Sequence, residues 1–149
     1  MAKNKENKKP KSNPPPRFTK NPRHEPTRES IIDKKLEFSF QCVDLGGPWC
    51  FGKKTDAAAV KMLFDKFRSF ETMTWAQVES AGSHFIAVND ITTEAQNRLG
   101  EIFQDDTDSV FSLHLTGRAR VFGLRFSSVL RLLWWDPNHE VCPSYKKHT

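Results

Sequence analysis

The 149-residue chain lacks any uninterrupted apolar run of about 18 residues, the length that a transmembrane helix needs. Its longest apolar cluster, residues 129–135, is interrupted by Arg131. The basic N-terminal stretch also lacks the apolar segment that follows the charged residues of a secretory signal. We therefore expect no membrane partner and a cytoplasmic location.

Cysteine is scarce, and its count is odd: Cys42, Cys50 and Cys142. Such a count in an intracellular chain favours free thiols over a disulfide framework. His139 and Cys142 have ligand-like spacing, but the two close ligand pairs of a structural zinc site are missing, so we expect no metal and no cofactor. The sequence also lacks a Walker loop, a G-x-S-x-G motif and a catalytic-cysteine signature, which argues against nucleotide hydrolysis and acyl-enzyme chemistry.

Positive charge is concentrated at one end of the chain. The formal net charge is +5, but residues 1–35 hold 11 basic and 4 acidic residues, whereas residues 36–149 hold 12 and 14. Residues 1–30 contain six of the nine prolines and one aromatic residue, Phe18. This composition predicts a disordered basic arm over residues 1–30. Either a solubilising leader or an electrostatic arm for nucleic acid fits it.

The first part of the remaining chain predicts one strand, three helices and, over residues 84–88, either a short strand or an extended linker. Residues 36–42 alternate apolar with polar side chains, as in a half-buried strand, and residues 49–52 follow a turn and could pair back as a hairpin. Thr55 is predicted to cap the first helix. The Thr74–Gln77 pattern predicts a capping box for the second, and Thr92 or Thr93 begins the third.

The last third of the chain predicts an antiparallel β-meander. Residues 109–115, 118–126 and 129–135 are strand-like and are separated by turn-sized gaps. We therefore predict a single α+β domain over residues 36–149, with two or three helices packed against the meander and covering one face of a largely antiparallel sheet.

The meander carries four arginines and no carboxylate between residues 109 and 135. The arginines are Arg118, Arg120, Arg125 and Arg131. The two-residue period of a strand places Arg118 and Arg120 on one face and Arg125 on the other. Guanidinium groups are planar, bidentate and always charged, so the pair suits a phosphate or a carboxylate. The alternative is ordinary exposed ion pairing with nearby carboxylates.

At the end of the meander, two tryptophans are followed directly by titratable residues. Adjacent Trp134 and Trp135 must point to opposite faces, so one can fill the core while the other faces outward or packs beneath the terminal segment. The side chain of Asp136 can accept an amide hydrogen bond in the Asp-Pro turn. His139, with Asp136 and Glu140 nearby, has the ingredients of general acid–base phosphodiester cleavage. An ordinary turn histidine is the alternative.

These segments resemble two known patterns. An R-hydrophobic-x-G stretch followed by L-W-x-D-P-x-H resembles the ending of small bacterial and phage or plasmid proteins. The order of a strand, paired helices and an arginine-bearing meander is similar to RelE/ParE-like toxins of type II toxin–antitoxin systems. This resemblance implies metal-independent cleavage of messenger RNA on the ribosome. It also implies a protein partner such as an antitoxin. In such a site Arg118 and Arg120 would hold the scissile phosphate, and His139 would serve as acid or base.

A second hypothesis is a non-catalytic protein-interaction module. In it the outward tryptophan and an apolar stripe of the meander bind a protein partner, and the basic arm serves for docking or solubility. Further predicted binding residues are Arg125, Arg131, Trp134, Trp135 and His114. His114 is an edge or core histidine, or a group on the same side of the sheet as the arginines. Catalysis requires His139 to lie close to Arg118 and Arg120.

Overall fold

The computed structural model describes residues 31–103 and 107–143. Its central element is a five-stranded mixed β-sheet. The strands are β1 (Glu37–Ser39), β2 (His84–Ala87), β3 (Ser109–Thr116), β4 (Ala119–Phe126) and β5 (Val129–Asp136). Their spatial order is β1-β5-β4-β3-β2, in which β3, β4 and β5 form the predicted meander. Strand β2 adds antiparallel to β3, and β1 lies parallel to β5 at the other edge. The predicted α+β class is confirmed.

Within the described ranges, three α-helices connect the strands. They are α1 (Ala57–Phe70), α2 (Trp75–Ser80) and α3 (Thr93–Ile102), with a short 3-10 turn over Val88–Asp90. The predicted capping box of α2 is present, and Thr92 caps α3. The cap of α1 is Asp56, whose carboxylate accepts the Ala59 amide at 2.8 Å, so the predicted Thr55 cap is wrong. The Thr55 hydroxyl instead donates to the carbonyls of Phe51 and Lys53.

The helices cover both faces of the sheet, and the prediction that they cover one face is wrong. On one face, α1 and α2 bury Leu63, Phe70, Trp75 and Val78 against the sheet. On the other, α3 buries Ala95 and Leu99 against Val110, Phe122 and Trp134. The physical reason is that apolar side chains occupy both odd and even positions of the meander strands and therefore point to both faces of the sheet. Each face must then be shielded from water by a helix.

The predicted hairpin between residues 49–52 and β1 is also wrong. Trp49 belongs to the apolar cluster on the α3 face, and its carbonyl accepts the Trp135 amide at 2.7 Å. The Asp44 carboxylate accepts the amides of Gly46 and Gly47, at 3.1 and 3.0 Å, which curls this segment into a turn rather than a strand. The segment therefore helps to cover the face that α3 leaves partly open.

The predicted disordered arm over residues 1–30 lies outside the described residues. Cys42, Cys50 and Cys142 are free thiols. No helix within residues 31–103 and 107–143 has both the length and the apolar character to cross a bilayer.

Candidate functional site

A cavity of about 400 Å³ opens where the β3–β4 turn meets the segment that follows β5. Its lining residues are Gly117, Arg118, Arg120, Asn138, His139 and Pro143. The structure thus brings together the three residues that the sequence predicted as catalytic, Arg118, Arg120 and His139. Strand pairing explains their proximity, because Arg120 lies opposite Asp136 in the register of β4 with β5.

The tight β3–β4 turn positions the two arginines. Gly117 has a φ of +47°, in the left-handed region that glycine adopts without strain. Arg118 is exposed in this turn, and Arg120 is half-buried on β4. The Nη1 group of Arg120 donates to the carbonyls of Gly117 and Ala119, at 2.7 and 3.1 Å, so the guanidinium is held over the turn.

A buried carboxylate organises the turn that carries His139. Asp136 is fully buried and accepts the amides of Glu140 and Val141, both at 2.9 Å. The structure thus confirms that its side chain accepts amide hydrogen bonds. His139, between these residues, has a φ of +59°, which is uncommon for any residue other than glycine. The histidine is therefore held in a strained conformation at the cavity wall.

The environment of His139 favours its neutral form. Burial is the largest cause that lowers its pKa below the ordinary histidine value, and the charge of Arg120 lowers it further. Asp136 opposes this effect, while Arg118 and His114 add to it. Neither ring nitrogen of His139 is hydrogen-bonded to another described residue. The cavity therefore combines an available neutral base with permanently charged guanidinium groups.

The guanidinium groups at the cavity are not held in direct ion pairs. Within the described residues, neither Arg118 nor Arg120 forms a salt bridge with a carboxylate. Burial lowers the pKa of Arg120, and the charge of Asp136 opposes that effect. An arginine remains charged at neutral pH, so both groups can attract an anion. The same ranges contain no group of three His, Cys, Asp or Glu side chains that could hold a metal ion.

His114 lies beside the cavity rather than in its wall. It is half-buried on β3, opposite Arg120 in the register of the two strands. Its electrostatic interaction with His139 lowers the pKa of His139. His114 is therefore on the predicted side of the sheet, without lining the cavity.

The other two meander arginines do not join His139. The Arg125 guanidinium lies 5.2 Å from the ring centroid of Trp75 and 4.6 Å from that of Phe85. The Arg131 guanidinium lies 4.7 Å from the centroid of Phe126, at the opposite end of β5 from His139. These distances fit cation–π interactions. Of the four predicted arginines, the cavity therefore contains only Arg118 and Arg120.

Both tryptophans of β5 are buried, which corrects their predicted binding role. They point to opposite faces as expected, but neither faces outward. Trp134 packs against Trp49 and Phe122, in the cluster that includes Val141 of the terminal segment. Trp135 packs in the cluster beneath α1 and α2. Because helices cover both faces, an interaction module that uses an exposed tryptophan has no such surface.

Sequence analysis missed a buried ionic centre on the α3 side. Asp44 accepts hydrogen bonds from Arg98 Nε at 2.8 Å, Arg98 Nη2 at 2.6 Å and Trp134 Nε1 at 3.0 Å. Arg98 is the main cause that holds the pKa of Asp44 far below its usual range, against the effect of burial. An aspartate before Gly46-Gly47 was a local signal of a turn. Its charged partner lies 54 positions away, so no local pattern could identify it.

Comparisons with protein-family models, with curated proteins and with solved structures find no match to this chain. The fold and the cavity define a single α+β domain with a cationic, histidine-containing cavity at one end of its sheet.

Proposed function

We propose that this chain binds RNA at the His139 cavity and cleaves its phosphodiester bond without a metal ion. The observation that supports the proposal is the convergence of His139, Arg118 and Arg120 in one open cavity. A neutral imidazole can accept a proton at neutral pH, and two guanidinium groups suit the charge of a phosphate.

The proposed reaction uses the 2′-hydroxyl of RNA as nucleophile. His139 takes the proton of that hydroxyl while its oxygen forms a bond to phosphorus. The bond from phosphorus to the 5′-oxygen breaks, and the leaving oxygen takes a proton from water. The resulting hydroxide is neutralised by the proton that His139 then releases, which regenerates the neutral base. The products are a 2′,3′-cyclic phosphate and a 5′-hydroxyl. Arg118 and Arg120 stabilise the negative charge that grows on the non-bridging oxygens.

The reaction is proposed to occur in the cytoplasm, on messenger RNA at the ribosome, as in the RelE/ParE-like toxins. The order of β1, the α1–α2 pair and the arginine-bearing meander supports this view. Strand β2 and helix α3 are inserted between the helix pair and the meander. Expression of such an enzyme should arrest growth with truncated messenger RNA, and His139→Ala should restore growth.

Cleavage of a single-stranded RNA in the presence of EDTA tests the proposal directly. We expect the full chain to release a 2′,3′-cyclic phosphate product, and His139→Gln to lower the rate by about 10²-fold or more. Arg120→Gln should weaken binding and also slow cleavage, because it removes charge at the phosphate. The matched control is His84→Gln, since His84 is an exposed histidine on β2 outside the cavity.

Two results would overturn the proposal. One is equal cleavage by the wild-type chain and His139→Gln, which would assign the activity to another group or to a contaminant. The other is equal cleavage of DNA of the same sequence, because DNA lacks the 2′-hydroxyl on which the reaction depends.

A further inference from the structure

An apolar groove lies between α1 and the segments before it, and it shares no lining residue with the His139 cavity. Its volume is about 230 Å³. The lining residues are Phe40, Val43, Phe51, Thr55, Val60, Leu63, Phe64 and Phe67. The hydroxyl of Thr55 already donates to two backbone carbonyls. The groove therefore suits an apolar group that brings no unsatisfied polar atom.

Large apolar side chains are exposed around this groove. Phe40 is 65% exposed, Phe64 66% and Val60 40%. Val60 and Phe64 are one helical turn apart, so they form a continuous ridge on α1. A contiguous exposed apolar patch with a polar rim is typical of a protein interaction site.

Basic side chains flank the exposed ridge. Lys61 precedes Phe64 by three residues and Arg68 follows it by four, so both lie beside Phe64 on the helix surface. Both are exposed. Asp65 lies 3.4 Å from Arg68, but this exposed pair contributes little and is open to competition from another carboxylate. The rim on this side of the groove is therefore complementary to negative charge.

We propose that the groove binds an amphipathic helix of a different protein, whose apolar face is flanked by acidic residues. The groove is smaller than the roughly 300–1,000 Å³ of small-molecule sites, and its size suits one or two anchoring side chains. An amphipathic helix supplies such anchors at i, i+3, i+4 and i+7. Its glutamates or aspartates would lie against Lys61 and Arg68. This inference is independent of RNA cleavage.

Charge disfavours two other occupants of the groove. Residues 1–30 hold nine basic and three acidic residues, so Lys61 and Arg68 would repel this segment of the same chain. A second copy that used the same patch in a two-fold dimer would bring the basic rims of both copies together. An acidic partner is the occupant that the rim attracts.

Fluorescence anisotropy with designed peptides tests the proposal on the full chain. The probe is a labelled peptide of about 15 residues with leucine at i, i+3, i+4 and i+7 and glutamate on both flanks. A matched peptide has lysine in place of glutamate. We expect the acidic peptide to bind at least about tenfold more tightly than the basic one, and Phe64→Ser to reduce its affinity by at least about tenfold.

Matched variants of the chain separate the groove from general effects. Phe126→Ser is the control for Phe64→Ser, because Phe126 is 64% exposed but does not line the groove. It should leave peptide affinity unchanged. The double variant Lys61→Glu/Arg68→Glu should prefer the basic peptide. Thermal unfolding of each variant checks that the fold is kept.

Four results would overturn the proposal. The first is equal binding of the acidic and basic peptides, and the second is binding that Phe64→Ser leaves unchanged. The third is occupation of the groove by the same protein. A second copy would appear as a dimer in light scattering that Phe64→Ser dissociates, and the N-terminal segment would be revealed if Phe18→Ser made the peptide bind more tightly. The fourth is adsorption to phosphatidylserine vesicles that Phe64→Ser abolishes, with no peptide binding, which would assign the patch to a membrane surface.

Discussion

The carboxylate of Asp136 accepts the backbone amide of Val141 at 2.9 Å, across the turn that carries His139. Its other oxygen accepts the amide of Glu140 at the same distance. A single buried side chain at the end of β5 therefore closes the turn and holds His139 in its left-handed conformation. Asp136 is a positioning residue for the proposed site.

Asp136→Ala should destabilise the fold by about 2 kcal/mol or more, because it leaves two amides of the turn without their acceptor. Asp136→Asn should cost less, since its amide oxygen can still accept one of them. Urea unfolding measures both values. The control is Asn138→Ala in the same turn, whose exposed side chain should contribute less than about 0.5 kcal/mol. Equal effects of Asp136→Ala and Asn138→Ala would show that the carboxylate does not support the turn.

His139 should titrate below the ordinary histidine pKa of about 6.5, as measured by the NMR shift of its ring protons. Arg120→Gln should raise this pKa, because it removes a nearby positive charge. The acidic limb of the RNA cleavage rate should follow the same midpoint and shift with it. An unchanged titration in Arg120→Gln would contradict the electrostatic account of the cavity.

The same shift predicts a dependence of stability on pH. The folded state holds His139 with a lower pKa than the unfolded state, so the unfolded chain binds more protons in the window between the two values. Stability is therefore fully present above the unfolded pKa and is lost as pH falls towards the folded pKa. His139→Gln should flatten this loss in urea unfolding between pH 7.5 and pH 5. An equally steep loss in His139→Gln and in the wild-type chain would contradict this account.

Trp134→Phe should destabilise the chain by about 1–3 kcal/mol more than Trp135→Phe. Both substitutions shorten a buried aromatic side chain on β5. Trp134 Nε1 donates to Asp44 at 3.0 Å, whereas the buried Trp135 Nε1 has no hydrogen-bond partner among the described residues. Comparing the two in chemical denaturation thus isolates the Trp134–Asp44 hydrogen bond. Equal losses in the free energy of unfolding would mean that this hydrogen bond makes no net contribution to stability.

Asp44→Asn should lower the free energy of unfolding by about 2 kcal/mol at neutral pH, because it weakens a buried ion pair. Arg98 is partly exposed, which limits the cost. The carboxyl group has a lower pKa in the folded state, so its contribution is present above the ordinary value of 3.8 and is lost as pH falls below it. Acid unfolding of Asp44→Asn should therefore depend less steeply on pH. Parallel curves for wild type and variant would contradict this role.

Gly47→Ala should disrupt the same ion pair. A Cβ atom at Gly47 would collide with the Asp44 carboxylate and lie 2.6 Å from Arg98 Nε. Gly52 is the matched control, since a Cβ atom there would meet nothing within 4 Å. We expect a clear fall in melting temperature for Gly47→Ala and little change for Gly52→Ala. A similar effect of both would indicate a general cost of losing glycine in this loop.

The sequence by itself determined most of the local elements and their order; the turn over residues 49–52 and the cap of α1 are the exceptions. Alternation with tight turns indicates the meander, and Thr74 with Gln77 defines the cap of α2. The proximity of Arg118 and Arg120 to residue 139 follows from hairpin geometry, because antiparallel neighbours place the start of β4 beside the end of β5. Short-range backbone geometry controls each of these features.

Only the tertiary structure decided which face each helix covers, that both Trp134 and Trp135 are buried, and that Asp44 pairs with Arg98. A helix shows from its sequence that it has an apolar face, but not which side of a sheet that face will meet. The partners of Asp44 lie 54 and 90 positions away, so their contacts exist only after the chain has packed on both faces of the sheet.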